Sequence, residues 1–315
     1  MKRNIYTLTL SPAFDYVLKF NNFEKNKTNR ALFRDMYAAG KGVHVSMLLK
    51  NLNQESEAII FTSGNLEEYF LNDLTKNNVK FKNFKSEEEI RINLKLIDHE
   101  QTESNVISPK ISQEEIDRLK QYLSDNLKED DLVVISGSSP EGLGKNVYFE
   151  IGQIVTDKSA HLVVDAFGPL LTNTFKAKPF LIKPNLEELE LTSQRKLTSL
   201  AEIIEAGQEI INQGVENVLV SLGKDGAMLI TKEKTYIGSI PKTNLELVNA
   251  AGAGDSLLAG FIKTYFDTHD FEQALKFGII SGSATAYSNR IASLEMINNL
   301  LKFSQTIEMK VINNE

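Results

Sequence analysis

Residues 249–261 read NAAGAGDSLLAGF. Five tiny residues, an acid and a hydroxyl stand ahead of an apolar run. Leu257, Leu258, Phe261 and Ile262 recur at helical spacing, which places the small residues at a helix N-terminus. The first N–H groups of a helix lack partners there, and the helix dipole is positive. Without bulky side chains an anion approaches those groups closely, so Gly252, Ala253 and Gly254 read as an anion cradle. Asp255 has two readings. A carboxylate at a helix start can serve as its cap. Beside a bound phosphate it would be repelled unless it had a task, such as taking a proton from an attacking hydroxyl. A base next to a phosphate cradle is the layout for phosphoryl transfer to an alcohol.

Helical patterns continue downstream of Asp255, over 256–267, 271–290 and 294–303. Upstream, β-rich apolar runs at 5–10, 58–62, 132–136, 162–165, 180–183 and 218–221 alternate with helical spacing. Those helical segments cover 43–52, 113–127, 145–156, 186–191 and 200–213. The alternation predicts an α/β fold whose central sheet is mostly parallel and covered on both faces. Two stretches break it. Residues 16–37 hold two β-like runs around a polar turn, and 90–106 read as a hairpin. They predict four strands of a small separate sheet, either a lid over a pocket or an edge decoration. Residues 310–315 read as a frayed tail.

Composition narrows the function classes. The 315 residues are 42% hydrophobic and 24% charged, ordinary for a globular protein and long enough for one large α/β domain. No apolar run approaches the ~20 residues of a membrane span. The N-terminus reads as a first strand rather than a signal peptide, so a cytoplasmic location is the default expectation. With no cysteine, thiolate catalysis and thiolate metal ligands are excluded, and the four histidines form no HExxH or HxxxH pattern. A net charge of −7 makes nucleic acid an unpromising partner.

Other segments offer the remaining parts of a phosphotransferase. Residues 38–42, AAGKG, combine close-approach glycines, Gly40 among them, with the cation of Lys41. They do not form a Walker loop and could equally be a turn with a solvated lysine. In 91–95, RINLK, alternation puts Arg91, Asn93 and Lys95 on one strand face. Two cations and an amide suit a phosphorylated ligand, or a solvated face. Asp15, past the first strand, could accept from sugar hydroxyls or close an Asx turn. Asp15, Ser138, Asp165, Lys183, Asn185, Ser221 and Gly223 all follow strand ends, where ligands of open α/β sheets gather. Asn185 and Glu188, three residues apart, could hold Mg²⁺ through water or form a capping box.

In this order the pieces resemble the ribokinase-type (PfkB) carbohydrate kinases, in the branch of 1-phosphofructokinases and tagatose-6-phosphate kinases. The resemblance runs over nearly the whole chain. Its motifs are TLSPAFD at 9–15, TNR at 28–30, GKG at 40–42, RINLKL at 91–96, GSSPEG at 137–142, KPNLEEL at 183–189, SLGKDGA at 221–227 and AAGAGDS at 250–256. It implies a ribokinase-like three-layer α/β/α domain over 1–315, with a β-lid from about 13–38 and 90–107, which often makes a homodimer contact. It implies ATP and Mg²⁺ as cofactors and a small sugar phosphate as acceptor, with fructose 1-phosphate ahead of tagatose 6-phosphate.

Asp255 would be the base, and the N–H groups of Ala253, Gly254 and Asp255 would hold the transferring phosphate. Asp15, Gly40, Lys41, His44 and Arg91 would bind the sugar phosphate, with Asn93 and Ser138 nearby. Asn185 and Glu188 would organise Mg²⁺. Lys183, Asn185, Ser221, Gly223, Gly226 and Gly252 would line the ATP site, with Ser283 and Asn289 from the late helices. The chain departs from the family pattern at Ala39, where a glycine is usual, and at His44, where an asparagine usually faces the substrate. Free-sugar or nucleoside kinases and a non-catalytic sensor are the competing expectations. Retention of Asp255 argues against the sensor.

Overall fold

The computed structural model describes residues 3–314. The first part of the chain runs β1 (Ile5–Thr9), β2 (Ala13–Lys19), β3 (Phe33–Ala39), α1 (Lys41–Asn51), β4 (Glu57–Phe61), α2 (Glu67–Lys76), β5 (Lys80–Phe84), β6 (Arg91–Ile97) and β7 (Gln101–Ser104). The middle runs α3 (Gln113–Asn126), β8 (Leu132–Ser136), α4 (Val147–Asp157), β9 (His161–Asp165), α5 (Pro169–Thr172), β10 (Leu181–Ile182), α6 (Leu186–Ser193) and α7 (Leu200–Ile211). The last part holds β11 (Val218–Ser221), β12 (Ala227–Ile230), β13 (Lys234–Gly238), α8 (Ala253–Thr268), α9 (Phe271–Ala286), α10 (Leu294–Leu301) and β14 (Met309–Asn313).

Ten strands form one sheet in the order β14-β13-β12-β11-β10-β9-β8-β1-β4-β5. From β5 to β11 the pairing is parallel; β12, β13 and β14 close the far edge antiparallel. The period-two rule explains why β8 and β9 read as unbroken apolar runs. Val133 and Ile135 pack on α3 and α4, while Leu132 and Val134 face the core of α1, α8 and α9. Leu162 and Val164 of β9 join the first cluster, and Val163 joins the second. Both faces of each strand are dry, as a parallel sheet between helical layers requires.

The segment expected to fray is β14. Residues 309–313 pair antiparallel with β13, Lys310 opposite Ile237 and Val311 opposite Tyr236. An exposed edge strand keeps polar residues on much of its surface, so MKVIN lacks the apolar density that marks an inner strand. Glu315 lies outside the described residues.

A second sheet has the order β3-β2-β6-β7. β2 runs antiparallel to β3 and parallel to β6, with Asp15 beside Tyr37 on one side and Asn93 on the other. Asp15 therefore belongs to this small sheet and not to a loop at the end of β1. In β6 the alternation buries Asn93 and Lys95 and exposes Leu94. One face of the small sheet thus turns its polar groups inward, over the carboxyl ends of β1, β8 and β9.

Candidate active site

Helix α8 starts at Ala253. Its N-cap is Gly252, in the left-handed region at φ 78°. A Cβ at Gly252 would stand 2.7 Å from Ile291 Cδ1 and 3.3 Å from His44 Nδ1, so conformation and space both call for glycine. Asp255 is thus the third residue of the helix and does not cap it. The N–H of Ala253 donates to the Ala250 carbonyl at 3.2 Å, inside the turn. Those of Gly254 and Asp255 have no backbone acceptor among the described residues. Of the three N–H groups expected to hold a phosphate, Ala253 is therefore used inside the turn, while Gly254 and Asp255 keep theirs unpaired with backbone.

Two cavities meet at this helix end. The first, of about 470 Å³, is lined by Ser221, Gly223, Gly226, Ala253, Gly254 and Ser283 together with Ile240, Leu247, Ile279 and Tyr287. Gly226, at φ 103°, brings the chain so close to β13 that a Cβ would lie 2.0 Å from the Gly238 carbonyl oxygen. The second cavity, of about 630 Å³, lies under the small sheet. It gathers Asp15, Gly40, Lys41, His44, Arg91, Asn93, Ser138, Lys183, Glu188, Gly252 and Asp255. Asn185, Ser221 and Gly254 border both. Lys183 faces the second cavity, not the first. Asn289 borders neither. Its side-chain oxygen accepts from Lys19 Nζ at 3.2 Å, and it shares a small cleft with β2 and β3.

The charges of the second cavity are largely spoken for. Asp165, fully buried at the end of β9, sits between two lysines. Lys41 Nζ is 2.9 Å from Oδ1, and Lys183 Nζ is 3.2 Å from Oδ2 in an ion pair off hydrogen-bond alignment. Burial pushes the Asp165 carboxyl up, but Lys183 and then Lys41 outweigh it and hold the group below the usual carboxylate range. Burial likewise pulls Lys41 down, and Asp165, Asp255 and Glu188 outweigh it, so its ammonium stays charged across the working range. The two lysines share this carboxylate, and Asp255 and Glu188 act on Lys41 as well.

Asp15 pairs with buried Lys95 at 2.9 Å and accepts from Asn93 Nδ2 at 3.4 Å. Arg91 differs. Its guanidinium donates to the carbonyls of Val106 at 2.7 Å and Ser11 at 3.0 Å. Carbonyls orient a guanidinium without cancelling its charge. Burial lowers its proton affinity, and Asp15 offsets part of that.

Asn185 and Glu188 form a capping box at the start of α6. Asn185 N donates to Glu188 Oε2 at 2.9 Å, and Glu188 N donates to Asn185 Oδ1 at 2.8 Å. Glu188 Oε1 has no partner in that motif and stays available. Among the described residues no group of three or more acidic or histidine side chains gathers as a metal cage.

Asp255 is 6% exposed, and its Oδ2 lies 2.8 Å from His44 Nδ1. The two residues stand 211 positions apart, and no local pattern announces the pair. The Lys41–Asp165–Lys183 cluster is similarly long-range; the sequence marks each member, at a strand end or in AAGKG, but not that they meet. Lys95 is visible as a cation of the RINLK alternation, but its partnership with Asp15 rests on the β2–β6 register.

Comparison with known proteins matches this arrangement to a family. The chain is 37% identical over 298 residues to a 1-phosphofructokinase of Bacillus subtilis, covering 94% of this chain and 97% of that protein. It is 29% identical over 312 residues to a tagatose-6-phosphate kinase of Staphylococcus epidermidis, covering 97% and 100%. A crystal structure of phosphofructokinase-2 from Escherichia coli, in complex with substrates and products, superposes with a TM-score of 0.90 at 25% identity, covering 96% and 100%. The profile of the pfkB family carbohydrate kinases matches residues 9–293. With a ribokinase-like fold, a helix terminus shared by two cavities and this match, the chain belongs to the pfkB family of carbohydrate kinases.

Proposed function

We propose that the chain is an ATP-dependent 1-phosphofructokinase, converting fructose 1-phosphate to fructose 1,6-bisphosphate. The observation that carries it is the position of the α8 N-terminus. Gly254 faces both cavities, and Asp255 faces the charged one only. The apolar cavity takes the nucleotide and presents its terminal phosphoryl to the Gly254 and Asp255 N–H groups. The cavity under the small sheet takes the sugar phosphate. Asp255 accepts the proton of the acceptor hydroxyl as its oxygen bonds to phosphorus. The bond from phosphorus to the bridging oxygen breaks, and ADP leaves with that electron pair. Arg91, whose guanidinium donates to two carbonyls and makes no ion pair among the described residues, receives the phosphate already on the sugar. That unpaired charge favours a phosphorylated acceptor over a free sugar.

Asn185 and Glu188 fit Mg²⁺ through waters rather than as a cage, since the capping box leaves one carboxylate oxygen for the task. Mg²⁺, when bound, neutralises charge on the nucleotide phosphates. A cytoplasmic location is part of this proposal, because it rests on ATP and a sugar phosphate as substrates. No helix among the described residues is long and apolar enough to cross a membrane.

Tagatose 6-phosphate is the second acceptor to consider, given the 29% identity to a kinase of that name along its whole length. On the face of the small sheet turned away from the cavity Leu94 is exposed, and Tyr16, Leu18 and Leu96 beside it are only partly buried, which favours a homodimer through that face. ATP consumption measured against fructose 1-phosphate, tagatose 6-phosphate, fructose 6-phosphate and free fructose tests the function. The highest kcat/KM belongs to fructose 1-phosphate; a clear preference for another acceptor, or no turnover with any, overturns the assignment.

A further inference from the structure

His44 stands in the first turn of α1, where its backbone N–H donates to the Gly40 carbonyl at 2.8 Å. Its side chain borders the second cavity and reaches Asp255 there. The Nδ1 to Oδ2 distance is 2.8 Å, with side chains 10% and 8% exposed. An ionised carboxylate only accepts, so Nδ1 carries the hydrogen. The imidazole also occupies the space beside Gly252 that a Cβ would need, so the left-handed glycine and the histidine fit together. A carboxylate at a helix end can otherwise rotate about two bonds. One fixed oxygen sets the direction of the other.

We propose that His44 is a positioning residue for the base, its Nδ1–H holding Asp255 Oδ2 so that Oδ1 is presented to the acceptor hydroxyl. The inference rests on the proposal that Asp255 is the base. In the transfer step the hydroxyl proton goes to Asp255 Oδ1, the hydroxyl oxygen bonds to the terminal phosphorus of ATP, and ADP leaves with the electrons of the broken bond. His44 gives up no proton in that step.

The charged or titratable groups around the ring are Asp255 from α8, Lys41 one turn earlier on α1, Tyr37 from β3, Asp73 from α2, and Arg290. Arg290 is already committed, with Nε 2.7 Å from Asp35 and its guanidinium over the Tyr37 ring. Across the second cavity stand Asp15, Arg91, Lys95, Glu103, Lys183 and Glu188.

Two variants and a control test the proposal in steady-state assays with fructose 1-phosphate and ATP. His44→Leu keeps apolar bulk against Gly252 and Ile291 but removes the donor, and lowers kcat by about 10²-fold with KM for both substrates within about threefold. His44→Asn restores an N–H at the place of Nδ1 and returns kcat to within about fivefold of the parent. A loss confined to kcat and reversed by an amide at that place is a pattern that a packing role does not produce.

Parent-like turnover in His44→Leu overturns the proposal. So does a His44→Asn protein as slow as His44→Leu. If His44→Leu does not fold, the kcat of His44→Asn still decides the matter: a value within about fivefold of the parent supports the proposal, and a loss of about 10²-fold with unchanged KM overturns it. Asp255→Asn separates the two levels. If it turns over normally, the base assignment itself fails; if it is inactive while His44→Leu is normal, only the role of His44 fails.

Discussion

The two cavities that meet at α8 are built from opposite materials. The one assigned to the nucleotide is made of backbone and small or apolar side chains: Gly223, Gly226, Ala253, Ile279, Ser283. The one assigned to the acceptor is made of ion pairs: Lys95 with Asp15, and Lys41 and Lys183 with Asp165. A backbone site needs the right φ angles and open space, and it is indifferent to pH. A site of paired charges needs every member, because removing one strands its partner in a low-dielectric setting. Substitutions on the two sides should therefore fail differently.

The largest effect is expected where the two sides touch. Asp255→Asn keeps size and a polar group but cannot take a proton at neutral pH. Turnover with fructose 1-phosphate should fall by about 10³-fold, within the span of general-base losses. ATP binding, followed by calorimetry, should persist, because the nucleotide cavity does not include this side chain. Normal turnover would remove the base from the mechanism.

Next comes Asp165→Asn, which breaks the acceptor side from beneath. It leaves two lysines without their shared carboxylate and should cost about 3 kcal/mol in denaturant unfolding at pH 7. The pH dependence follows from direction. The Asp165 carboxyl is held below its ordinary range, so its contribution is complete above the unfolded value near ~3.9 and fades as pH falls through the folded value. Lys41 is held above its range, so its share is complete below the unfolded value near ~10.4 and is lost only as pH rises beyond it. The stability gap between parent and variant should be flat from about pH 5 to 9 and narrow in acid. A gap that widens in acid would mean that the carboxylate is not what the lysines hold.

How much of this contrast was legible in the sequence follows from the same physics. The backbone cavity announces itself in runs such as GAGD and SLGKDGA, because close approach and unusual φ demand glycine locally. The doubly buried strands announce themselves as LVVIS and LVVD, because both faces are dry. The charged cavity is written across the chain. His44 and Asp255, Lys41 and Asp165, and Asp15 and Lys95 meet only through tertiary packing, so residue types were visible while partners were not. Asn185 and Glu188 carried two readings in one spacing, and the capping box is present in full. β14 escaped because an edge strand need not be apolar.

Arg91→Ala sharpens the contrast at a smaller scale. Its guanidinium is aimed by the Ser11 and Val106 carbonyls and is not cancelled by them. Loss of a charge-assisted contact to the acceptor's phosphate should raise KM for fructose 1-phosphate by about 10- to 100-fold, or roughly 1.5–3 kcal/mol. KM for ATP should stay within about twofold, because Arg91 borders only the acceptor cavity. A rise in both constants would show the small sheet collapsing as a whole rather than losing one contact.

The smallest effect tests the boundary between the two regions. Asn289 sits late in the chain, where the family resemblance places it with the nucleotide, yet its side chain accepts from Lys19 on the small sheet. Both partners are exposed, so Asn289→Ala should change stability by no more than about 0.5 kcal/mol. The contact from Asn249 Nδ2 goes to the Asn289 backbone carbonyl and survives the substitution. Asn249 Oδ1 therefore keeps holding the Ala251 N–H, and the turn that leads into Gly252 stays in place. KM for ATP should be unchanged. A raised KM for ATP with an unchanged KM for fructose 1-phosphate would move Asn289 back to the nucleotide side. It would also mean that the loop after α9 closes onto ATP when ATP binds.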